Sequence, residues 1–167
     1  MRFASFQIVL ATALLGLPAG AASAQIAPEK PLFSEEDAKT LSEYRLDLAK
    51  LDRFETALRE MDLKSQTDEA LKEELDHDEA KAAGIDRFVG AIEKEKPKMV
   101  AILQAAGVPP RDFVLTSYSV MMAMVYADLL KAEAEAAVPS YVPRENLGFV
   151  KRYEDRLTKL FEALNRE

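Results

Sequence analysis

Apolar residues recur every three or four positions along most of the chain after residue 33, a spacing typical of α-helices with one buried face. The first run lies between Ser34 and about Lys64. Its apolar positions are Leu41, Tyr44, Leu48, Leu51, Phe54, Leu58 and Met61. Three acidic residues follow Ser34, and this sequence favours a helix start because a hydroxyl can cap free amides and carboxylates suit the positive end of the helix dipole. The pattern predicts one long helix over residues 34–64.

Two weaker helical segments follow the first run. Residues 65–68 repeat the capping chemistry and predict a second helix that ends at Gly84. Because its apolar content is thin, we expect it to lie on the surface and to be the least stable element. Residues 85–103 keep helical phase straight through Pro97. Proline inside a helix removes a hydrogen bond and clashes with the preceding turn, so either one helix kinks there or two short helices meet.

The least polar part of the chain lies at residues 113–127, which carry no charged side chain. Gly107 favours a helix end before it, and Pro110 suits the first turn of a new helix, where a missing amide costs nothing. A helix that is apolar on nearly all sides is typically buried. The segment therefore predicts a central core helix over residues 110–137. Its uncharged stretch contains Thr116, Ser117 and Ser119 and is too short and too polar for a good membrane span.

A final helix is predicted from residues 143–146 to the C-terminus, after a connection bounded by Pro139 and Pro143. Its inward positions are Leu147, Val150, Tyr153, Leu157, Leu160, Phe161 and Leu164. Short connections between helices favour antiparallel neighbours. The predicted fold is therefore all-α: a single domain over residues 34–167, formed by an antiparallel bundle of four to five helices.

The first 24 residues have the parts of a cleavable signal peptide. Arg2 gives a positive start, an apolar run extends over residues 8–17, and Ala22-Ser23-Ala24 supplies a small-residue cleavage motif. A spanning helix needs roughly 20 apolar residues, and Pro18 interrupts this run earlier. Cleavage after Ala24 predicts a periplasmic or secreted protein with no stable membrane anchor and a flexible lead-in over residues 25–33.

Composition narrows the functions that the domain can have. The net charge is −7, and the one basic cluster (Lys94, Lys96, Lys98) is interleaved with Glu93 and Glu95, which argues against nucleic acid and against an anionic membrane surface. The chain has no cysteine and one histidine, which excludes thiol catalysis, iron–sulfur clusters and any site that needs two imidazoles. No catalytic residue and no cofactor are predicted.

One acidic segment carries a weak metal-binding pattern. Glu74 and His77 share a helix face three residues apart, with Asp78 next to them. Di-metal helical bundles use Glu-x-x-His twice, and a second histidine is lacking here. A weak single-ion site at Glu74, His77 and Asp78 is therefore the metal hypothesis, and a solvated acidic face is the favoured interpretation.

A second group of candidate binding residues lies on the predicted central helix. Met121 and Met124 are three residues apart and share a face, and thioethers are soft ligands that favour Cu(I). Methionine also fills gaps in helical cores, and core packing is the favoured interpretation of these two residues. A third interpretation is that they line an adaptable groove for a partner helix or an apolar ligand. Tyr118 and Tyr126 complete the set, as phenols that need a polar partner when buried. For the five tyrosines of the chain, Tyr44 among them, the candidate partners are Thr116, Ser117 and Ser119.

These observations rank three hypotheses about function. The first is a non-enzymatic exported module that binds a protein or peptide, or associates with itself, in the cell envelope. The second is a carrier of copper, another divalent metal or a small ligand, through the methionine face or the Glu74–His77 face. The third is an enzyme that uses carboxylates and tyrosines in a pocket between helices.

Overall fold

The computed structural model describes residues 33–76 and 84–164, and these ranges contain eight α-helices and no strand. The helices are α1 (Glu35–Glu43), α2 (Leu48–Ser65), α3 (Glu69–Asp76), α4 (Ile85–Glu95), α5 (Pro97–Ala105), α6 (Pro110–Ala132), α7 (Arg144–Arg152) and α8 (Glu154–Leu164). The predicted all-α class is confirmed. The predicted signal peptide, and the lead-in up to residue 32, lie outside the described residues.

The expected number of four to five helices is wrong, because three of the predicted helical segments each contain two helices. The first ends at Glu43, and Tyr44 adopts an extended backbone. Asp47 then caps α2 by accepting a hydrogen bond from the Lys50 amide at 2.8 Å. This local cap begins a new helix about one turn later, so the apolar spacing runs on across the break and conceals it. Leu48 consequently starts α2 and is 45% exposed instead of facing inward.

The other two breaks lie at Lys96 and at Tyr153. At Pro97 the structure has two short helices, with Lys96 between them and Pro97 in the first turn of α5. The predicted C-terminal helix is interrupted at Tyr153, whose backbone (φ −109°, ψ 21°) leaves the helical region and separates α7 from α8. The hydrogen bond from the Leu157 amide to the Tyr153 carbonyl keeps the two segments close in phase.

Helix α6 lies at the centre of the described fold. It contacts α1, α2, α4, α5 and α7, and ten of its 23 residues are buried. By length and composition it is the one described helix that could cross a membrane, a test that the core helix of a soluble protein also passes. It ends at Ala132, before residue 137, because residues 133–135 are exposed and offer no apolar face to bury.

Two of the predicted helix boundaries are confirmed in detail. The Ser34 hydroxyl accepts a hydrogen bond from the Asp37 amide at 3.1 Å and caps α1. Gly107 (φ 68°) ends α5. The Val108 amide bonds to the Leu103 carbonyl at 2.9 Å, and both side chains are buried. This bond and the one from the Gly107 amide to the Gln104 carbonyl at 3.0 Å are those of a Schellman motif, which satisfies the last carbonyls of the helix.

Candidate functional site

The four predicted binding residues all lie on α6, and all four are half-buried: Tyr118, Met121, Met124 and Tyr126. Met122, between them in sequence, is 3% exposed and belongs to the core. Since successive residues of a helix are about 100° apart, Met121 and Met124 face one side while Tyr126 points to another. Tyr118, three residues before Met121, lies near the methionine side as well, but its ring contacts Phe33 and Phe88. These ring contacts assign Tyr118 to an aromatic cluster and leave Met121 and Met124 as a methionine face.

The aromatic cluster consists of Phe33, Phe88, Tyr118, Tyr126 and Tyr141. The ring of Phe33 meets Tyr118 at 5.4 Å and Tyr141 at 5.1 Å, in both cases edge to face. Phe88 of α4 meets Tyr118 at 6.5 Å. Edge-to-face pairs add about 0.5–1.5 kcal/mol beyond area burial, so the cluster joins the start of α1, α4, α6 and the connection before α7.

The sequence pattern missed Phe33 as a member of this cluster. Phe33 directly precedes the N-cap Ser34, and an apolar residue at that position often packs against the helix that follows. That rule predicts a contact with α1, whereas the ring contacts of Phe33 are with Tyr118 and Tyr141, so no local signal identified them. Tyr141 lies in the proline-bounded connection, where no periodicity could show which way its side chain points.

In the aromatic cluster, the Tyr118 and Tyr141 phenols are protonated at ordinary pH because their pKa values are raised. Burial raises the pKa of Tyr141, and a hydrogen bond and charge interaction with Tyr126 raise it further. Burial, with a smaller contribution from the Asp37 carboxylate, also raises the pKa of Tyr118. These side chains therefore offer hydrogen-bonding hydroxyls and apolar rings, rather than a phenolate base.

A separate tyrosine pairs with the hydroxyl residues of α6. The Tyr44 hydroxyl lies 2.8 Å from Thr116 Oγ1, which confirms Thr116 as a partner for a tyrosine. Burial, opposed by the hydrogen bond with Thr116, raises the Tyr44 pKa to about 12. Ser117 instead donates to the Phe113 carbonyl of its own helix at 2.8 Å. These contacts form a satisfied core network.

Ser119 is the exception among the serine and threonine residues of α6. It is 6% exposed, and its Oγ has no hydrogen-bond partner within the described part of the chain. Burying a hydroxyl without a partner costs about 1–3 kcal/mol, so Ser119→Ala should leave stability unchanged or raise it by up to about 1 kcal/mol in urea denaturation. Ser117→Ala, which removes a satisfied hydroxyl, is the control. A loss above about 1 kcal/mol for Ser119→Ala would show that the hydroxyl has a partner.

Of the predicted metal ligands, Glu74 lies within the described residues, while His77 and Asp78 lie outside them. The Glu74 carboxylate accepts hydrogen bonds from the amides of Lys98 at 3.2 Å and Met99 at 3.0 Å. It therefore caps the N-terminus of α5. Within residues 33–76 and 84–164 no group of three or more histidine, cysteine or acidic side chains is placed to hold a metal ion.

Two carboxylate pairs meet in the described structure, each at a shared cation. Asp52 and Glu55 of α2 both pair with Arg156 of α8, at 2.7 and 2.6 Å. Asp128 and Glu154 both pair with Lys131. In each case the cation balances the charge, so the pair links two helices: α2 with α8, and α6 with α8.

Of the four carboxylates in these two pairs, Glu55 is the most buried, with 14% of its side chain exposed. Burial would raise its pKa, but hydrogen bonds from Arg59 and Arg156 outweigh burial and hold the pKa below its ordinary value. A lowered pKa stabilises the fold above about pH 4.3, and that stability is lost as the pH falls through the folded-state value.

We therefore expect Glu55→Gln to be less stable than the wild-type protein at pH 7, with the difference shrinking as the pH falls below about 4. Urea denaturation over this pH range measures the effect. Glu60→Gln on the same helix removes the exposed pair with Lys64, and is the control with an expected change of less than about 1 kcal/mol. An equal difference at pH 7 and pH 2.5 would contradict the role given to Glu55.

Comparison of the chain with protein-family models, with curated proteins and with solved structures finds no match. The function proposed below therefore rests on the chain's own side chains.

Proposed function

We propose that the chain is an exported, non-enzymatic helical module that binds a protein or peptide through the methionine face of α6. The observation that carries the proposal is that the central helix changes character along its length. Residues 113–117 are buried, whereas Met121, Met124 and Val125 are half-buried. A core helix that leaves apolar side chains partly exposed offers a surface for another molecule.

Methionine suits such a surface because of its side-chain chemistry. The thioether is polarisable and the side chain has no branch, so a methionine face can adapt to a partner that the protein does not match rigidly. Asp128 lies one turn beyond Met124 and is exposed, which gives the face a charged edge. This arrangement favours an amphipathic partner segment over a fully apolar one.

Photo-crosslinking in the native cell envelope tests the proposal. A benzophenone amino acid at position 121 should give a crosslinked product, and the same group at the exposed position of Lys151 should not. The product is then identified by mass, and a product of two copies of the chain would show self-association. Absence of any product from position 121, or identical products from both positions, would contradict the proposal.

Binding of the identified partner should then depend on the methionine face. Met121→Glu is expected to weaken binding by about ten-fold or more, since a charge at the centre of an apolar contact is costly to desolvate. Leu63→Glu is the matched control, because Leu63 is a 61% exposed apolar residue on α2. Equal weakening by both variants would place the binding surface elsewhere.

Export is a separate part of the proposal, supported by the signal-peptide pattern of residues 1–24. N-terminal sequencing of the protein from its source cells should give Gln25 as the first residue. A chain that retains Met1 in the mature protein would contradict export by cleavage.

A further inference from the structure

Helix α3 is held against the described structure by few apolar contacts. Of its eight residues only Leu71 is fully buried, and Leu75 is half-buried. It lies against α2 and α5. One buried leucine side chain contributes about 1.5–3 kcal/mol, which is little for a whole helix. The position of α3 must therefore depend on its polar contacts as well.

Those polar contacts lie on either side of Leu71. At the start of α3, Asp68 accepts a hydrogen bond from the Leu71 amide at 3.1 Å, and its second carboxylate oxygen pairs with Lys98 Nζ of α5 at 2.6 Å. Nearer the end of α3, the Glu74 carboxylate accepts hydrogen bonds from the amides of Lys98 and Met99. Both acidic side chains therefore link the segment that carries Leu71 to α5.

Helices α3 and α5 also cap each other. Lys96 stands at the N-cap of α5 and makes no side-chain cap bond, so the first amides of α5 depend on Glu74. In return, the Lys96 ammonium donates to the Glu74 carbonyl oxygen in the last turn of α3. An unsatisfied helix end is a site for a complementary charge, and here an acidic residue fills it.

We propose that the groove formed by α2 and α5 is a docking site for an acidic amphipathic helix, and that α3 occupies this site within the same chain. The recognised pattern is acidic–leucine–acidic at positions i, i+3 and i+6, as in Asp68, Leu71 and Glu74. The groove supplies an apolar seat for the leucine, the Lys98 ammonium for the first acid, and the free amides of α5 for the second. The contacts of α3 carry this proposal, independently of the methionine face.

Because α3 fills the groove, a helix from another molecule must compete with it. The apparent affinity of such a helix falls in proportion to the fraction of time that the groove is open. Variants that loosen α3, leave the cations of α5 in place and free its first amides should therefore bind the helix more tightly. The double variant Asp68→Asn/Glu74→Ala loosens α3 by removing both of its acidic contacts with α5. Asparagine can still cap α3, and alanine preserves the helix propensity of α3. Lys96 and Lys98 are unchanged.

Hydrogen exchange of the full chain tests the first step. In the Asp68→Asn/Glu74→Ala variant, amides of residues 69–76 should exchange about ten-fold faster or more, with α6 unchanged. The matched control is Asp128→Asn/Glu154→Ala, which removes both carboxylates from Lys131 and should leave α3 unaffected. Unchanged exchange in α3, or equal acceleration throughout the chain, would overturn the proposal.

Binding of a labelled peptide tests the second step. The probe is residues 66–76 (QTDEALKEELD), with fluorescence anisotropy as the readout. It should bind the Asp68→Asn/Glu74→Ala variant about ten-fold more tightly than the wild-type chain, and a Leu71→Asp form of the peptide should bind neither. No binding to the variant, or equal binding of both peptides, would overturn the docking site. Either result leaves the crosslinking test of the methionine face unaffected.

Discussion

Asn146→Asp should destabilise the protein by about 3–5 kcal/mol at pH 7, since it leaves a buried charge without a partner. Asn146 of α7 is 1% exposed. Its Oδ1 accepts a hydrogen bond from the Leu46 amide at 2.9 Å, and its Nδ2 donates to the Tyr44 carbonyl at 3.0 Å. Aspartate keeps the acceptor for Leu46 but turns a negative oxygen toward the Tyr44 carbonyl.

The pH dependence of this variant gives a second check. A buried carboxylate facing a carbonyl has a raised pKa, and its protonated form can donate to Tyr44. The loss of stability should therefore shrink as the pH falls toward about 4. Urea denaturation at several pH values measures it. Gln66→Glu makes the same amide-to-acid change at an exposed position and should cost less than about 1 kcal/mol. A cost as small for Asn146→Asp would contradict the assignment.

Gly84→Ala should also lower the free energy of unfolding substantially, by about 2–3 kcal/mol. Gly84 has φ 96° and ψ 164°, a region that side chains rarely adopt, and it precedes the first residue of α4. A Cβ there would lie 2.9 Å from Asp37 Oδ2. The same carboxylate caps α4 by accepting a hydrogen bond from the Ile85 amide at 3.1 Å, so the substitution strains the backbone and also displaces the cap.

Gly90→Ala provides the matched control. Gly90 lies inside α4, and an added Cβ meets nothing within 4 Å. Alanine should therefore stabilise the helix by about 0.5–1 kcal/mol through its better propensity. Thermal or urea denaturation of both variants compares the two sites directly. Similar changes at Gly84 and Gly90 would show that the backbone at Gly84 is not constrained.

Local rules predicted the helical class and several boundaries. The cap at Ser34, the stop at Gly107 and the start at Pro110 depend on residues within one turn, and all three are confirmed. The breaks at residues 44–47 and at Tyr153 were missed, because the apolar spacing continues across each of them. Periodicity reports which face is buried, but it is insensitive to an interruption of about one turn.

The candidate site was less predictable than the fold. Tyr118 and Tyr126 were expected to act with Met121 and Met124, but the aromatic cluster depends on Phe33 and Tyr141, which come from distant parts of the sequence. Asn146 gave no signal at all, since its partners are 100 or more residues away. Polar contacts between segments far apart in sequence follow from the tertiary fold, and no local pattern encodes them.

Helix α6 is a core helix in which residues 113–117 are buried, while Met121 and Met124 further along remain partly exposed. Because the chain has no cysteine, single cysteines can be placed along α6 and their labelling rates compared in the native protein. Cysteines at Met121 and Met124 should react about ten-fold faster or more than cysteines at the buried positions Val114 and Val120. Equal labelling at all four positions, whether fast or slow, would contradict the claim.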